Sequence, residues 1–260
     1  MKQISTISFI GSGNVATHLA LAVKAAGFEV KDVFSLHKNH ADILAAKVEA
    51  RAVGSLAELQ RDTDLYLLAV PDKIIDPIVR TFHYVEGIVA HTSGITPMET
   101  LQKTARYGVF YPLQTFSKEK EPDISKVPFC IEGNSSDVLQ SLSDLAANLS
   151  DVVYEINSDQ RKYLHLAAVL VNNYTNYLYR MAFDILDAQQ MDTSLLMPLI
   201  EETFAKIREM HPDKAQTGPA RRKDLPTIEK HLSLLEEFPQ YKELYTLFAE
   251  QIIKKYHEQL

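Results

Sequence analysis

The chain is short of most residues that announce a common function. It has one cysteine in 260 residues, Cys130, so an internal disulfide and any multi-thiolate metal site are excluded. Cys130 sits in the apolar run Val127-Pro128-Phe129-Cys130-Ile131 and reads as buried packing. Basic excess is also missing. With 27 Lys+Arg against 34 Asp+Glu the net charge is −7, which argues against a nucleic-acid partner. No apolar run approaches the ~18 residues of a membrane span, so no membrane partner is expected. There is no HExxH, no P-loop lysine and no paired Cys/His spacing, so no metal is expected either. No internal repeat or low-complexity segment is visible. Met1-Lys2 leads straight into an apolar strand, which leaves no room for a signal peptide and makes the cytoplasm the expected location. What remains is an ordinary globular composition, 46% hydrophobic and 23% charged, with enough chain for one large or two smaller domains.

Two of the nine glycines lie together at the most informative point of the chain. The strand Ile4–Ile10 breaks at Gly11-Ser12-Gly13-Asn14-Val15-Ala16 and re-enters as an alanine-rich helix, Val15 to Ala26. In a G-x-G-x-x-A turn the first glycine permits the tight turn and the second lets a pyrophosphate approach the backbone. The small third residue packs helix on strand. Phosphates then lie against free N–H groups at the positive end of the helix.

The first 156 residues alternate short apolar runs with helical patterns, as a parallel sheet does. Strands are expected at Glu29–Ser35, Ala50–Val53, Leu65–Val70, Gly87–His91, Tyr107–Tyr111, Pro128–Glu132 and Val152–Ile156. Helices are expected around Ala41–Glu49, near Pro71-Asp72 and over Ser136–Leu149. From Asn157 the pattern turns helical: Ser158 to about Gln190 has no proline or glycine, and Asn157 and Gln160 have capping-box spacing. Such a rod is about 50 Å long at 1.5 Å per residue, more than a small domain covers, so part of it is expected to pack on a second subunit. Further helices fit Ser194–Met210, Thr227–Glu237 and Gln240–His257, with a polar loop, His211–Asp224, after the first. The expected fold is α/β: a Rossmann-type doubly wound sheet over residues 1–156, followed by an all-α helical domain over 157–260.

One more absence bears on the cofactor. NAD sites usually carry an acid at the end of the second strand, about 20 residues past the glycines. Here that place holds Ser35, followed by Leu36-His37-Lys38. A hydroxyl and up to two cations suit a 2′-phosphate, so NADP is favoured over NAD; ordinary solvated loop residues are the alternative. The turns Ala69-Val70-Pro71-Asp72 and Thr92-Ser93-Gly94 follow the fourth and fifth strands, at the carboxyl edge where ligands of open α/β sheets bind. Ser93 reads equally as a cofactor contact or as turn chemistry.

Hydride transfer to a carbonyl or imine needs a proton donor near the reacting atom. On a helical wheel His165, Val169, Asn172 and Asn176 share one stripe, flanked by Lys162 and Asn173. Asparagines are costly to bury unpaired and are mediocre helix formers, so this cluster suggests chemistry or structural hydrogen bonds. In the functional reading His165 gives the proton and Asn172 or Asn173 orients the substrate. The turn Thr217-Gly218-Pro219-Ala220-Arg221-Arg222-Lys223-Asp224 presents three cations that suit a carboxylate or phosphate, or else form a solvated basic loop. His91 and Tyr111 read as packing or as pocket residues.

Taken together, the glycine turn, Leu68–Asp72, His91–Gly94, Pro112-Leu113-Gln114-Thr115-Phe116, Phe129–Gly133, His165–Asn173, Thr217–Pro219 with Arg222 and Asp224, and His231-Leu232 resemble a bacterial family over nearly the whole chain. Its members join a Rossmann-like NADP-binding domain to a helical domain of unknown function. The family is similar to the group of pyrroline-5-carboxylate reductase, β-hydroxyacid dehydrogenases and deazaflavin-dependent NADP reductase. The resemblance implies a helical dimerisation domain, hence a homodimer, and an active site between the two domains. Within it His165 would be the acid/base, Asn173 with Asn172 the orienter, and Arg222 the anion clamp. Gly11, Ser12, Gly13, Asn14, Val15, Ser35, His37, Lys38, Ala69, Val70, Pro71 and Ser93 would hold the cofactor. Three positions depart from the group: Val169 stands where β-hydroxyacid dehydrogenases have a catalytic lysine, Tyr111 where many relatives have histidine, and Leu36 where many have arginine. The expected activity is NADP-dependent reduction of a small carbonyl or imine substrate bearing an anionic group. A non-catalytic NADP-binding sensor or scaffold is the alternative, and a second cofactor as hydride partner is a third possibility.

Overall fold

The computed structural model describes residues 3–82 and 85–257. Met1 and Lys2, from which the first strand was expected to follow directly, lie outside them. Two compact units are resolved, Met1–Asn172 and Asn173–Leu260. That division falls within the long helical stretch, 16 residues beyond the expected boundary at 156/157.

In the first unit β1 (Thr6–Ile10), β2 (Glu29–Phe34), β3 (Arg51–Val53), β4 (Leu65–Leu68), β5 (Ile88–His91), β6 (Tyr107–Pro112), β7 (Phe129–Gly133) and β8 (Val153–Glu155) form one sheet. Its order is β3-β2-β1-β4-β5-β6-β7-β8. The chain runs outward from β1 to β3 and then crosses back to β4, which makes β1/β4 the switch point of a doubly wound sheet. α1 (Asn14–Ala25), α2 (Lys38–Val48) and α4 (Ser136–Leu149) cover one face, packing Leu19, Leu44 and Leu142 on Phe9, Leu65, Leu67 and Phe110. α3 (Asp72–Thr81) covers the other with Ile75 and Val79 against Tyr66, Leu68 and Val89. Alternate β4 side chains therefore enter opposite layers, which is why that strand reads as an unbroken apolar run.

The sheet is not wholly parallel. β7 runs antiparallel to β6, from Gly108↔Gly133 to Pro112↔Phe129. Parallel neighbours need a crossover, usually a helix on a sheet face. The β6–β7 connection holds only the single 3-10 turn Ile124–Lys126, so the chain folds straight back.

Helical structure continues through α5 (Ser158–Ala168), a π-helical stretch Val169–Tyr174 and α6 (Thr175–Ala188). The capping box is present: Asn157 Oδ1 accepts from Gln160 N–H and Gln160 Oε1 accepts from Asn157 N–H. The π stretch corrects the helical wheel. It inserts one residue, so Asn173 takes the angular place expected for Asn172, and Tyr177 that expected for Asn176.

The second unit adds α7 (Met197–Glu209), α8 (Pro212–Ala215), α9 (Pro219–Arg222), α10 (Leu225–Leu234) and α11 (Pro239–His257). The expected polar loop His211–Asp224 thus contains two single helical turns, each opened by proline at its first position, where the missing N–H is no loss. Asp224 caps α10, accepting from Thr227 N–H at 3.2 Å and Thr227 O–H at 2.8 Å.

Candidate functional site

Gly11 follows β1 with φ +121°, and its N–H donates to Phe34 O at 2.8 Å. A Cβ there would lie 2.1 Å from Ala69 O, so both backbone angle and space demand glycine. Gly13 differs. Its φ of −74° suits any residue, and a Cβ would meet nothing within 4 Å. The chain itself gives no reason for glycine at this exposed position, whereas a pyrophosphate against the helix does. Gly13 is the N-cap of α1 and offers no side-chain cap, and no acid occupies the first turn. The N–H groups at the start of α1 therefore suit an anion. Ala16 is fully buried, as the third fingerprint position requires.

The segment after β2 is equally well defined. Asp32, the one acid near the end of β2, is fully buried and accepts from Arg51 Nε at 2.8 Å and Gln60 N at 2.7 Å. It belongs to the fold. Ser35 follows the strand and accepts from Ser12 O–H at 2.8 Å; Leu36, His37 and Lys38 are exposed. His37 and Lys38 open α2 beside His40, whose ring meets that of His37 edge-on at 5.4 Å. Sequence reasoning passed over His40, which lies two residues beyond the segment it weighed. A cavity of about 210 Å³ shares Ser12 with the glycine turn and is lined by Thr17, His18, His40, Lys47 and Lys118.

A larger cavity, about 440 Å³, opens at the carboxyl ends of β1, β4, β5 and β6. Gly13, Asn14 and Val15 form one wall, and Ala69, Val70, Pro71 and Asp72 another. Thr92, Ser93 and Gly94 follow β5, and Tyr111, Gln114 and Phe116 follow or end β6. His165 of α5 completes the lining. The strap after β6 is held down on α1: Asn14 Nδ2 donates to Phe116 O at 2.8 Å, and His18 Nε2 meets Ser117 O at 2.8 Å with its ring stacked on Phe116. Gln114 and Phe116 had entered the reading only through the resemblance.

Ser93 is 7% exposed; its hydroxyl donates to Thr96 Oγ1 and accepts from Ile95 N–H and Thr96 N–H. Its neighbour Gly94 has the sharper role, because a Cβ there would lie 2.4 Å from His165 Nδ1. The half-buried His165 ring therefore packs on bare backbone, and its Nδ1 lies 3.1 Å from Tyr111 Oη.

α5 is anchored one turn earlier by a buried ion pair that sequence reasoning missed. Arg161, 1% exposed, pairs through Nη1 with Glu132 of β7 and donates from Nη2 to Thr96 O at 2.7 Å. Glu132 also accepts from Ser158 N–H at 2.9 Å and Ser158 O–H at 2.7 Å. The only sequence signal was Glu132 standing alone at the end of an apolar strand.

His91 and Cys130 are both enclosed. Burial, reinforced by the Arg161 charge, pushes His91 down to about 3, and its Nδ1 accepts from Ser93 N–H. Burial pushes the Cys130 thiol up to about 11, which makes it a poor nucleophile. Asn172 is half-buried and Asn173 exposed. In the basic turn Arg221 stacks on the Tyr256 ring at 4.1 Å, while Arg222 is exposed and its charge helps to lower the Asp224 carboxyl. Among the described residues no group of three or more His, Cys, Asp or Glu gathers to hold a metal ion. No helix among them is long and apolar enough to cross a membrane.

Comparison with known proteins matches residues 6–89 to the family model "NADP oxidoreductase coenzyme F420-dependent" and residues 127–252 to a domain of unknown function. A Bacteroides fragilis structure designated an NADP oxidoreductase is 39% identical, covers 96% of this chain and 98% of its own, and superposes with a TM-score of 0.89. An imine reductase from Myxococcus stipitatus in complex with NADP+ shares the fold at 15% identity, with 95% and 92% coverage and a TM-score of 0.69. A pyrroline-5-carboxylate reductase from Coxiella burnetii does so at 16% identity, with 98% coverage of both chains and a TM-score of 0.56. The curated proteins contain no match.

Proposed function

This chain belongs to the NADP oxidoreductase family that carries a C-terminal domain of unknown function, and from that premise we propose that it reduces a small carbonyl or imine compound bearing an anionic group. The observation that carries this reading is the 440 Å³ cavity, which has the glycine turn in one wall and a hydrogen-bonded imidazole in another. NADPH supplies the hydride when bound. The N–H groups at the start of α1 would take its pyrophosphate, Ser35, His37, Lys38 and His40 its 2′-phosphate, and Ala69, Val70 and Pro71 would border the remainder.

The residues of the chain then have separable tasks. Hydride reaching the carbon of C=N or C=O sends an electron pair to nitrogen or oxygen, which needs a proton. His165 gives that proton through its cavity-lining imidazole. Asn173, with Asn172, orients the substrate, and Arg222 clamps its anionic group; the side-chain amides both donate and accept, and a guanidinium suits a carboxylate or phosphate. The strap residue Phe116 shields the cavity from water.

We also infer that the chain is a homodimer through its helical residues. Tyr163, Leu166, Val171, Tyr174, Tyr177 and Leu178 stand exposed at helical spacing, with Val171 at 74% and Tyr163 at 76%. An apolar stripe of this kind is unusual on a monomer and complements a second copy of itself. A cytoplasmic location belongs to the same reading and is checked by cell fractionation.

Calorimetric titration tests the cofactor assignment: NADPH binds tighter than NADH, and the difference shrinks in Lys38→Ala. Turnover tests the rest. With the cyclic imine 1-pyrroline and with 2-keto acids as probes, His165→Ala lowers kcat by about 10²–10⁴-fold with NADPH affinity intact. Arg222→Ala raises KM for the acids only. NADPH binding without turnover of any probe favours the sensor or scaffold reading.

A further inference from the structure

Tyr111 is the β6 residue before Pro112, and it is 8% exposed. Its hydroxyl lies 3.1 Å from His165 Nδ1, and the two rings meet edge to face with centroids 6.1 Å apart. The imidazole is confined again at Gly94, where a Cβ would come within 2.4 Å of Nδ1 and 2.7 Å of Cγ. One hydrogen bond and one bare stretch of backbone thus fix the ring without any charged partner. Of its two nitrogens, Nδ1 is taken by Tyr111, while Nε2 has no hydrogen-bond partner among the described residues. Both side chains line the 440 Å³ cavity.

We propose that Tyr111 is the positioning residue of His165: its hydroxyl holds Nδ1 and leaves Nε2 as the one nitrogen that exchanges a proton with substrate. The proposal rests on the reading of His165 as proton donor. A hydroxyl suits this task because it both donates and accepts. Beside the resting neutral ring it donates to Nδ1, so the ring proton then resides on Nε2. Beside a cationic ring it turns and accepts from Nδ1–H, with no heavy atom displaced. In the proton-transfer step the Nε2–H bond of the cationic ring breaks, and the proton joins the substrate nitrogen or oxygen that has gained the electron pair. The ring is left neutral with its remaining proton on Nδ1, bonded to the Tyr111 oxygen, and Nε2 recovers a proton from water. A carboxylate in place of the hydroxyl would favour the cation and oppose that release. Burial pushes the Tyr111 hydroxyl up to about 12, so it keeps its proton at physiological pH.

Nitrogen-15 NMR of the histidine-labelled protein tests this without any substrate. Wild-type His165, when neutral, carries its proton on Nε2, and Tyr111→Phe converts it to a mixture of tautomers while NADPH affinity is unchanged. A proton on Nδ1 in the wild type, or an unchanged tautomer in Tyr111→Phe, overturns the proposal. Turnover of 1-pyrroline adds a second readout. Tyr111→Phe lowers kcat by about 10–100-fold with KM unchanged, the size expected for losing an orienting partner, and Tyr111→His restores part of it. If His165→Ala abolishes turnover but Tyr111→Phe does not lower it, the positioning role fails and the donor reading stands. If His165→Ala turns over like wild type, the donor reading fails, and the tautomer measurement still decides the hydrogen bond.

Discussion

In the sheet unit Ile7, Phe9, Leu65, Leu67 and Phe110 are at most 1% exposed. In the helical unit the most enclosed apolar side chain among the described residues is Tyr241 at 6%, and Tyr177, Leu199, Phe204 and Leu234 stand in solvent. The sheet unit closes its own core between two helical layers and keeps even its charged groups inside by pairing them. The helical unit gathers only small cores, Met181–Leu235–Tyr241 and Ala220–Ile228–Ala249, and leaves much of its apolar surface uncovered. One unit encloses its apolar side chains, and the other leaves many of its own exposed.

Four outcomes sharpen or break that contrast. The largest belongs to the buried ion pair of the sheet unit. Arg161→Ala leaves Glu132 without its buried cation and costs about 3–5 kcal/mol in urea unfolding. Lys255→Ala in the helical unit removes an exposed partner of Asp213, and such exposed pairs contribute roughly 0–1 kcal/mol. Equal losses at the two sites would erase the contrast.

Acid is the next test. His91 titrates at about 3 in the fold and near 6.5 unfolded, so between those values the unfolded chain binds more protons. Stability is therefore full above pH 6.5 and falls as pH drops, by about 2 kcal/mol at pH 5. His91→Gln flattens that part of the stability–pH curve; an unchanged slope would show that His91 is not the enclosed group described here. A smaller effect belongs to the helical unit, where Asp224→Ala removes the α10 cap and costs about 1 kcal/mol by thermal unfolding. Smallest of all is Val171→Glu on the exposed stripe. It changes the unfolding free energy of the single chain by less than about 0.5 kcal/mol but lowers the mass measured by light scattering toward one chain. A core-sized loss with an unchanged mass would mean that the stripe packs within the chain.

What the sequence made legible followed distance along the chain. The glycine turn, the eight strands and the Asn157 capping box are local patterns, and each is present in the structure. The exclusion of Asp32 from the ribose site needed register, because only pairing with Arg51 and Gln60 shows that its carboxylate is already used. The antiparallel β7 was missed because its apolar run carries no sign of direction. The π stretch left no mark either, since Val169–Tyr174 has the composition of any amphipathic helix. Tyr111 and Gly94 are 54 and 71 residues from His165, and nothing local in Tyr-Pro or Ser-Gly tells of an imidazole. The Glu132–Arg161 pair hides in the same way.

The central claim is that the cofactor held by the glycine turn presents its nicotinamide to the Tyr111–His165 pair. A crystal structure of the protein with NADPH tests this most directly. The pyrophosphate is expected against Gly11–Val15 and the nicotinamide ring in the cavity, with C4 turned toward His165. A nicotinamide directed away from His165, or a pyrophosphate seated elsewhere, would contradict it.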